Sequence, residues 1–460
     1  MRGVAPFCVL LVPLAAIAIA TAGPVGAGAA ALVGLLLGIL GLFLLRGDEV
    51  ERRAGAGARR ESDIRYLVVL VVTGFVLRAG LAVILRQLDL NMVLGGDEGT
   101  FDSNAHVFQM WLDGIIPEPF QEKWRNSSQV GYFVIVGSMY WLIGPIQIVP
   151  VLLNCAIGAL TAIPVYRLSA RLAGSLSGRI AATLVTFFPS LVLWSCLLVR
   201  DALAFFLIAW CVVLGQDLLR RATLPRIVAL TACLGVLATL RSYIFLLLAG
   251  AIVAAFLVSM TRRPGRALVV AVLSTIGILL LVRGAGLGSE FVGEDYLVRI
   301  DEQRRLNAIV GNAAIDIGAH DLTTPIGALT YLPIGLAYFL LAPFPWQMGG
   351  RQVLALPDML LWYACFPLVL MGIGHVIRRR RVAALVPLLA GVSISMLYGL
   401  VEGNVGIIVR HRAQVLVLFL PFAALAATRI IRAHERRLTA ERADRARLMQ
   451  GLSWHGAGSV

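Results

Sequence analysis

The sequence predicts an all-α polytopic membrane protein, a bundle of about twelve transmembrane helices with further helices lying at one interface, and three observations carry that reading. The 460 residues are 59% hydrophobic and only 14% charged, with a mean hydropathy of +0.85. Apolar runs of roughly 20 residues recur along the chain, the length a helix needs to cross a hydrocarbon core about 30 Å thick. The formal charge of +14 is gathered at the ends of those runs, as positive-inside sorting requires. A nucleic-acid-binding surface would spread it differently, and no nucleic acid is expected as a partner.

In chain order the spans fall at 4–22, 28–45, 66–86, 146–168, 178–196, 201–219, 227–240, 243–260, 267–284, 355–377, 383–401 and 413–428. The first two form an N-terminal hairpin (1–46). The small-residue end of the first run resembles a signal-peptide cleavage region, but a second apolar run follows within a few residues, so retention is expected. A basic loop (47–65) carries Arg52, Arg53, Arg59 and Arg60. With Arg167, Arg171, Arg220, Arg221, Arg262, Arg263 and the run Arg378 to Arg381, these arginines share one side if the N-terminus is cytoplasmic. Both termini are then cytoplasmic, and the tail 429–460, alternating Arg with Glu and Asp to residue 447, reads as a basic, solvated surface helix. The module 66–428 places its two long loops, 87–145 and 285–354, on the external or periplasmic face, where its site is expected. The six cysteines stand singly in or beside apolar runs and read as packing residues.

The first outer loop opens with 95-GGDEGTFDSNAH-106. Read as a helix, 98–113 aligns Glu98, Asp102, His106, Gln109 and Asp113 on one stripe and Phe101, Ala105, Phe108 and Leu112 on another. Such a helix lies in the interface with its acids toward water. Asp97 and Glu98 are adjacent and repel, which points to a cation, a bound proton or a substrate hydroxyl as partner. The second loop holds Glu290, Glu294, Asp295, Asp301 and Glu302 among Arg299, Arg304 and Arg305. It reads equally as a lid or as a solvated loop with local ion pairs. The proline-broken stretch 331–346 reads as interfacial or re-entrant.

DEGTF, ending a span and opening an external amphipathic helix, resembles the DE-x-x-Y type motif in the first outer loop of the GT-C superfamily. These are polytopic glycosyltransferases such as protein mannosyltransferases and aminoarabinose transferases. The stretches 131-GYFVIVGSMYWLIG-144 and 146-IQIVPVLLNCAIGALTAIPVYRLSARLAG-174 are similar to the interfacial helix and span that follow in that family. So are 189-PSLVLWSCLLVRDALAFFL-207, 237-LATLRSYIFLLL-248, 331-YLPIGLAYFLLAPFPW-346 and 410-RHRAQVLVLFLPFAALAA-427 to segments that recur there. The likeness covers roughly residues 66 to 428, with Phe101 in place of the usual tyrosine and the first two spans additional. It implies an integral protein of a bacterial plasma membrane that moves a sugar from a polyprenyl-phosphate-linked donor to a hydroxyl of a glycan, lipid or protein acceptor. Membrane lipid surrounds the donor. Some members carry a large external domain after the last span, and here a short basic tail stands in that place, so the acceptor stays open.

That chemistry needs a base for the nucleophile and cationic or metal stabilisation of the departing phosphate. Asp97 is the expected base, with Glu98 positioning acceptor or water and Asp102 and His106 in support. Arg200, Arg241 and the cluster Arg410, His411 and Arg412 are the candidate phosphate ligands. They lie at outer ends of spans, where positive-inside sorting depletes arginine. No cofactor is assigned, and a divalent cation stays open as a partner of the carboxylates. A polysaccharide polymerase or ligase using a lipid-linked oligosaccharide would rely on the arginines without needing Asp97. A transporter would show internal repeats and charges near the middle of the bilayer, whereas these acids lie at the outer edge.

Overall fold

The computed structural model describes residues 57–91, 96–116, 129–260, 296–309, 321–347, 350–379 and 381–456. These fold as helices α1 (Gly57–Gln87), α2 (Glu98–Leu112), α3 (Val130–Ile143), α4 (Ile148–Leu160), α5 (Ala162–Ala173), α6 (Ser175–Phe187), α7 (Pro189–Ser195) and α8 (Asp201–Arg220). Next come α9 (Leu224–Leu240), α10 (Ser242–Met260), α11 (Tyr296–Ile309), α12 (Pro325–Leu341), α13 (Leu356–Arg378), α14 (Leu385–Val401) and α15 (Val405–Gly456). No β-strand occurs among the described residues. The chain is an integral membrane protein of all-α fold: among the described residues seven helices are long and apolar enough to cross a bilayer, or eight if the bent pair α6 and α7 counts as one span.

Nine of the twelve expected spans fall on described residues, and each lies on a helix. One of these, α9, has 17 residues and reaches about 26 Å at 1.5 Å per residue, short of a full crossing without adjustment. The spans expected at 4–22, 28–45 and 267–284 lie outside the described residues.

The continuous pair Ile148–Ala173 sits at the centre, with 94% of its apolar window buried against 28% for Val353–Arg378, which therefore faces lipid. Small residues make that centre dense. A Cβ at Gly158 would collide with Ser195, and one at Gly335 with the carbonyl of Gly399 where α12 crosses α14. Around this core α15 packs on α5, α6, α13 and α14, while α2 pairs with α3 at one end of the bundle.

The break in the expected span 178–196 bears most on the site. Pro189 offers no N–H and pushes the preceding Phe188 to an extended conformation (φ −66°, ψ 123°). The axis bends by 54° between α6 and α7. After α7 the chain runs without regular helix from Cys196 to Arg200 before α8 begins. Non-helical backbone at membrane depth needs other partners. Asn154 on α4 supplies them by donating to the carbonyls of Leu197 and Val199, each at 2.8 Å.

The proline-broken stretch 331–346 becomes the end of α12, with Pro333 inside the helix, and a following turn. From the second outer loop, α11 packs on α14. There Asp301 accepts from Arg304 at 2.8 Å and Arg305 at 2.7 Å, a local ion-pair set. Residues 285–295 and 310–320, from the segment read equally as a lid or as a solvated loop, lie outside the described residues.

Candidate active site

Asp97 is the N-cap residue of α2, and its side chain makes no capping bond. Its carboxylate reaches across 313 positions of sequence to Arg410, whose Nη1 donates to Oδ2 at 2.5 Å. Arg410 is in turn held from behind, donating through Nε at 2.9 Å and Nη2 at 2.8 Å to Oδ2 of Asp201. Asp201 opens α8 and is fully buried. Its other oxygen accepts from Nη2 of Arg241 at 2.6 Å. Two guanidinium groups thus enclose one buried carboxylate, and the outer of them carries a second, exposed one.

The cluster continues inward. Arg241 sits in the break between α9 and α10 and also donates to the Tyr243 hydroxyl at 2.5 Å. Its Nη1 lies 3.1 Å from His411 Nε2. On the other side of that ring, Nδ1 lies 2.6 Å from the buried Glu402, and the imidazole stacks on Tyr398 with centroids 4.5 Å apart. Because Arg241 is a donor only, the neutral His411 tautomer with Nε2 free as acceptor and Nδ1–H toward Glu402 satisfies both contacts. Trp194 underlies Arg410, its ring 5.0 Å from the guanidinium carbon, a cation–π contact.

Glu98, although next to Asp97, points the other way. It is buried, and its Oε1 accepts from the backbone N–H of Leu198 at 2.5 Å while Oε2 accepts from Asn91 at 2.9 Å. Arg86, at the end of α1, lies 3.5 Å from Oε1. Both oxygens are engaged by protein, which makes Glu98 a tie between α2 and the irregular segment 196–200.

Asp102 and His106 belong to the seam between α2 and α3. Asp102 accepts from the Tyr140 hydroxyl at 2.6 Å, and His106 packs edge-on against Tyr140 at 5.0 Å. Burial pushes the Tyr140 phenol above its ordinary pKa, and the bond to Asp102 adds to that, so it remains a donor.

Arg200, a candidate phosphate ligand, donates to the Leu240 carbonyl at 2.5 Å, while the neighbouring Asp201 is taken by Arg241 and Arg410. Arg412 does not join Arg410. It is fully buried and donates to the Ala342 carbonyl at 2.6 Å, with Asp358 at 3.5 Å. Among the described residues no group of three or more His, Cys, Asp or Glu is placed to hold a metal ion.

The structure therefore brings Asp97, Arg241, Arg410 and His411 together, and sets Glu98, Asp102, His106, Arg200 and Arg412 in structural contacts beside them. Asp201 and Glu402 were missed as members. The available signal was an acid at each edge of an apolar span, which is costly there without a partner.

No protein-family model matches the sequence, and no curated protein matches it either. Among solved structures, one similar chain is the oligosaccharyltransferase of Archaeoglobus fulgidus in its apo form, with a TM-score of 0.49 and 13% identity. The likeness covers 81% of this chain and 52% of that one, so the chain spans about half the length of that structure.

Proposed function

We propose that this protein transfers a sugar from a polyprenyl-phosphate-linked donor to a hydroxyl on a glycan, lipid or protein acceptor, at the membrane face where α2 and the start of α15 meet. The observation that carries this reading is the contact between Asp97 and Arg410. A carboxylate 56% exposed in its side chain meets a guanidinium 15% exposed that is anchored on a fully buried acid. An accessible base next to a fixed cation is the pair that displacement at a glycosyl phosphate requires.

In this reading Asp97 takes the proton of the acceptor hydroxyl while that oxygen forms a bond to the anomeric carbon. The bond from that carbon to the phosphate oxygen breaks, and its electron pair leaves with the polyprenyl phosphate, whose negative charge Arg410 balances. Asp201 and Arg241 hold Arg410 in place, so little reorganisation is needed as charge develops. Arg410 lies in an apolar span beside interfacial helices, where a lipid-borne phosphate and a water-borne hydroxyl can meet.

The test is Asp97→Asn, which keeps the shape and removes the charge. In a purified assay with defined donor and acceptor, turnover should fall by about a hundredfold to ten-thousandfold while donor binding survives. Turnover near that of the unaltered protein would remove Asp97 from the mechanism and favour an arginine-driven polymerase or ligase.

A further inference from the structure

The base and the phosphate cation of the proposed reaction are bonded to each other, and the contacts that Arg410 makes with its two acids are unequal. Toward Asp201 it presents two N–H groups to a carboxylate with no exposed side-chain surface, which also serves Arg241. Breaking that pair would strand a buried charge. Toward Asp97 it presents a single N–H, and Asp97 is more than half exposed and makes no capping bond. Exposed ion pairs of this kind are weak and readily exchanged with solvent or another anion.

Resting on the reading of Arg410 as the phosphate-binding cation, we propose that the Asp97–Arg410 pair is a latch, opened when the donor's phosphate replaces Asp97 on Nη1 of Arg410. In the structure Arg241 and Arg410 are matched by Asp201 and Asp97. A glycosyl phosphodiester carries one negative charge, so its arrival at Nη1 restores that balance and frees Asp97. The anchor on Asp201 stays closed during the exchange, so the guanidinium does not move away with the incoming group. The oxygen that held Arg410 is then available to accept a proton from a hydroxyl. The base is unmasked only when a donor is seated, which orders the reaction with the donor first.

The exchange has a measurable cost, because the phosphate must displace a competing carboxylate from within the protein. Removing that competitor should tighten phosphate binding by about twofold to fivefold, the equivalent of up to ~1 kcal/mol for an exposed ion pair. Farnesyl phosphate, with farnesol as the uncharged control, is titrated calorimetrically into the detergent-solubilised full chain and its Asp97→Ala variant. Asp97 is exposed, so the substitution leaves no buried group unpaired. Preference for farnesyl phosphate over farnesol, with tighter farnesyl phosphate binding in the variant, is the expected result. The same preference with unchanged or weaker binding in the variant overturns the latch and leaves the phosphate reading standing. No preference for the phosphate in the unaltered protein overturns the phosphate reading and the latch together.

Discussion

Arg410 and Arg412 stand two positions apart, and on an α-helix two positions are about 200° apart. One of them can face Asp97 only if the other faces away, and the buried bond of Arg412 to the Ala342 carbonyl, with Asp358 3.5 Å away, is that outcome. The two-residue separation implies this for any helix through 410–412, although the sequence places the span at 413–428 and the helix begins at Val405. What was not legible is which of the two faces inward, because Asp201 and Asp358 lie about 210 and 54 positions away respectively. Arg412→Gln should destabilise the fold by about 3–5 kcal/mol, since it leaves Asp358 buried and unpaired. Calorimetric unfolding checks this, and donor affinity of the folded fraction should be unchanged. Loss of donor affinity at unchanged stability would return Arg412 to the site. The adjacent pair Asp97 and Glu98 divides in a similar way. Glu98→Gln should lower stability by about 1–3 kcal/mol, because the neutral amide accepts less strongly from Leu198 N–H and Asn91. If Glu98→Gln instead left stability intact and removed turnover as fully as Asp97→Asn, Glu98 would be acting on substrate.

At the scale of elements, the run 178–196 reads as one span because its composition is predominantly apolar. Pro189 is the visible sign that it is not straight, since proline and the residue before it both resist an unbroken helix. Less visible is the irregular segment 196–200, for its partners come from elsewhere: Asn154 holds two carbonyls and Glu98 one N–H. This segment delivers Asp201 to the cluster, so its support is a condition for the site. Asn154→Leu should leave the carbonyls of Leu197 and Val199 unpaired in an apolar setting and cost about 1–3 kcal/mol of stability, with turnover falling through displacement of Asp201. Thermal unfolding and turnover are measured together. Full turnover with lowered stability would show that α8 keeps Asp201 in register without this brace.

For the whole molecule, α15 is the ruler. It runs unbroken from Val405 to Gly456, and the 19 residues from Arg410 to Arg429 span about 28 Å at 1.5 Å per residue, close to the thickness of a hydrocarbon core. Arg410 at one end bonds Asp97, and Arg429 at the other lies 2.9 Å from His375 near the basic end of α13. The acidic cluster and the arginine-rich ends therefore lie at opposite ends of this helix, the separation that the charge pattern at 378–381 and 429–447 leads one to expect. Spacing and sign were enough for that inference because both survive any rotation of the helices, whereas side-chain pairing across the bundle does not. From positive-inside sorting we propose that the Asp97 face is the exterior one. In a background without the six native cysteines, an impermeant thiol reagent should label Ser103→Cys in intact cells and Thr439→Cys only after the membrane is opened. Both positions are exposed, so access depends on sidedness alone. Labelling of Thr439→Cys from outside, with Ser103→Cys protected, would invert the protein and place any sugar transfer on the cytoplasmic face. Labelling of both from one side would mean that α15 does not cross the membrane.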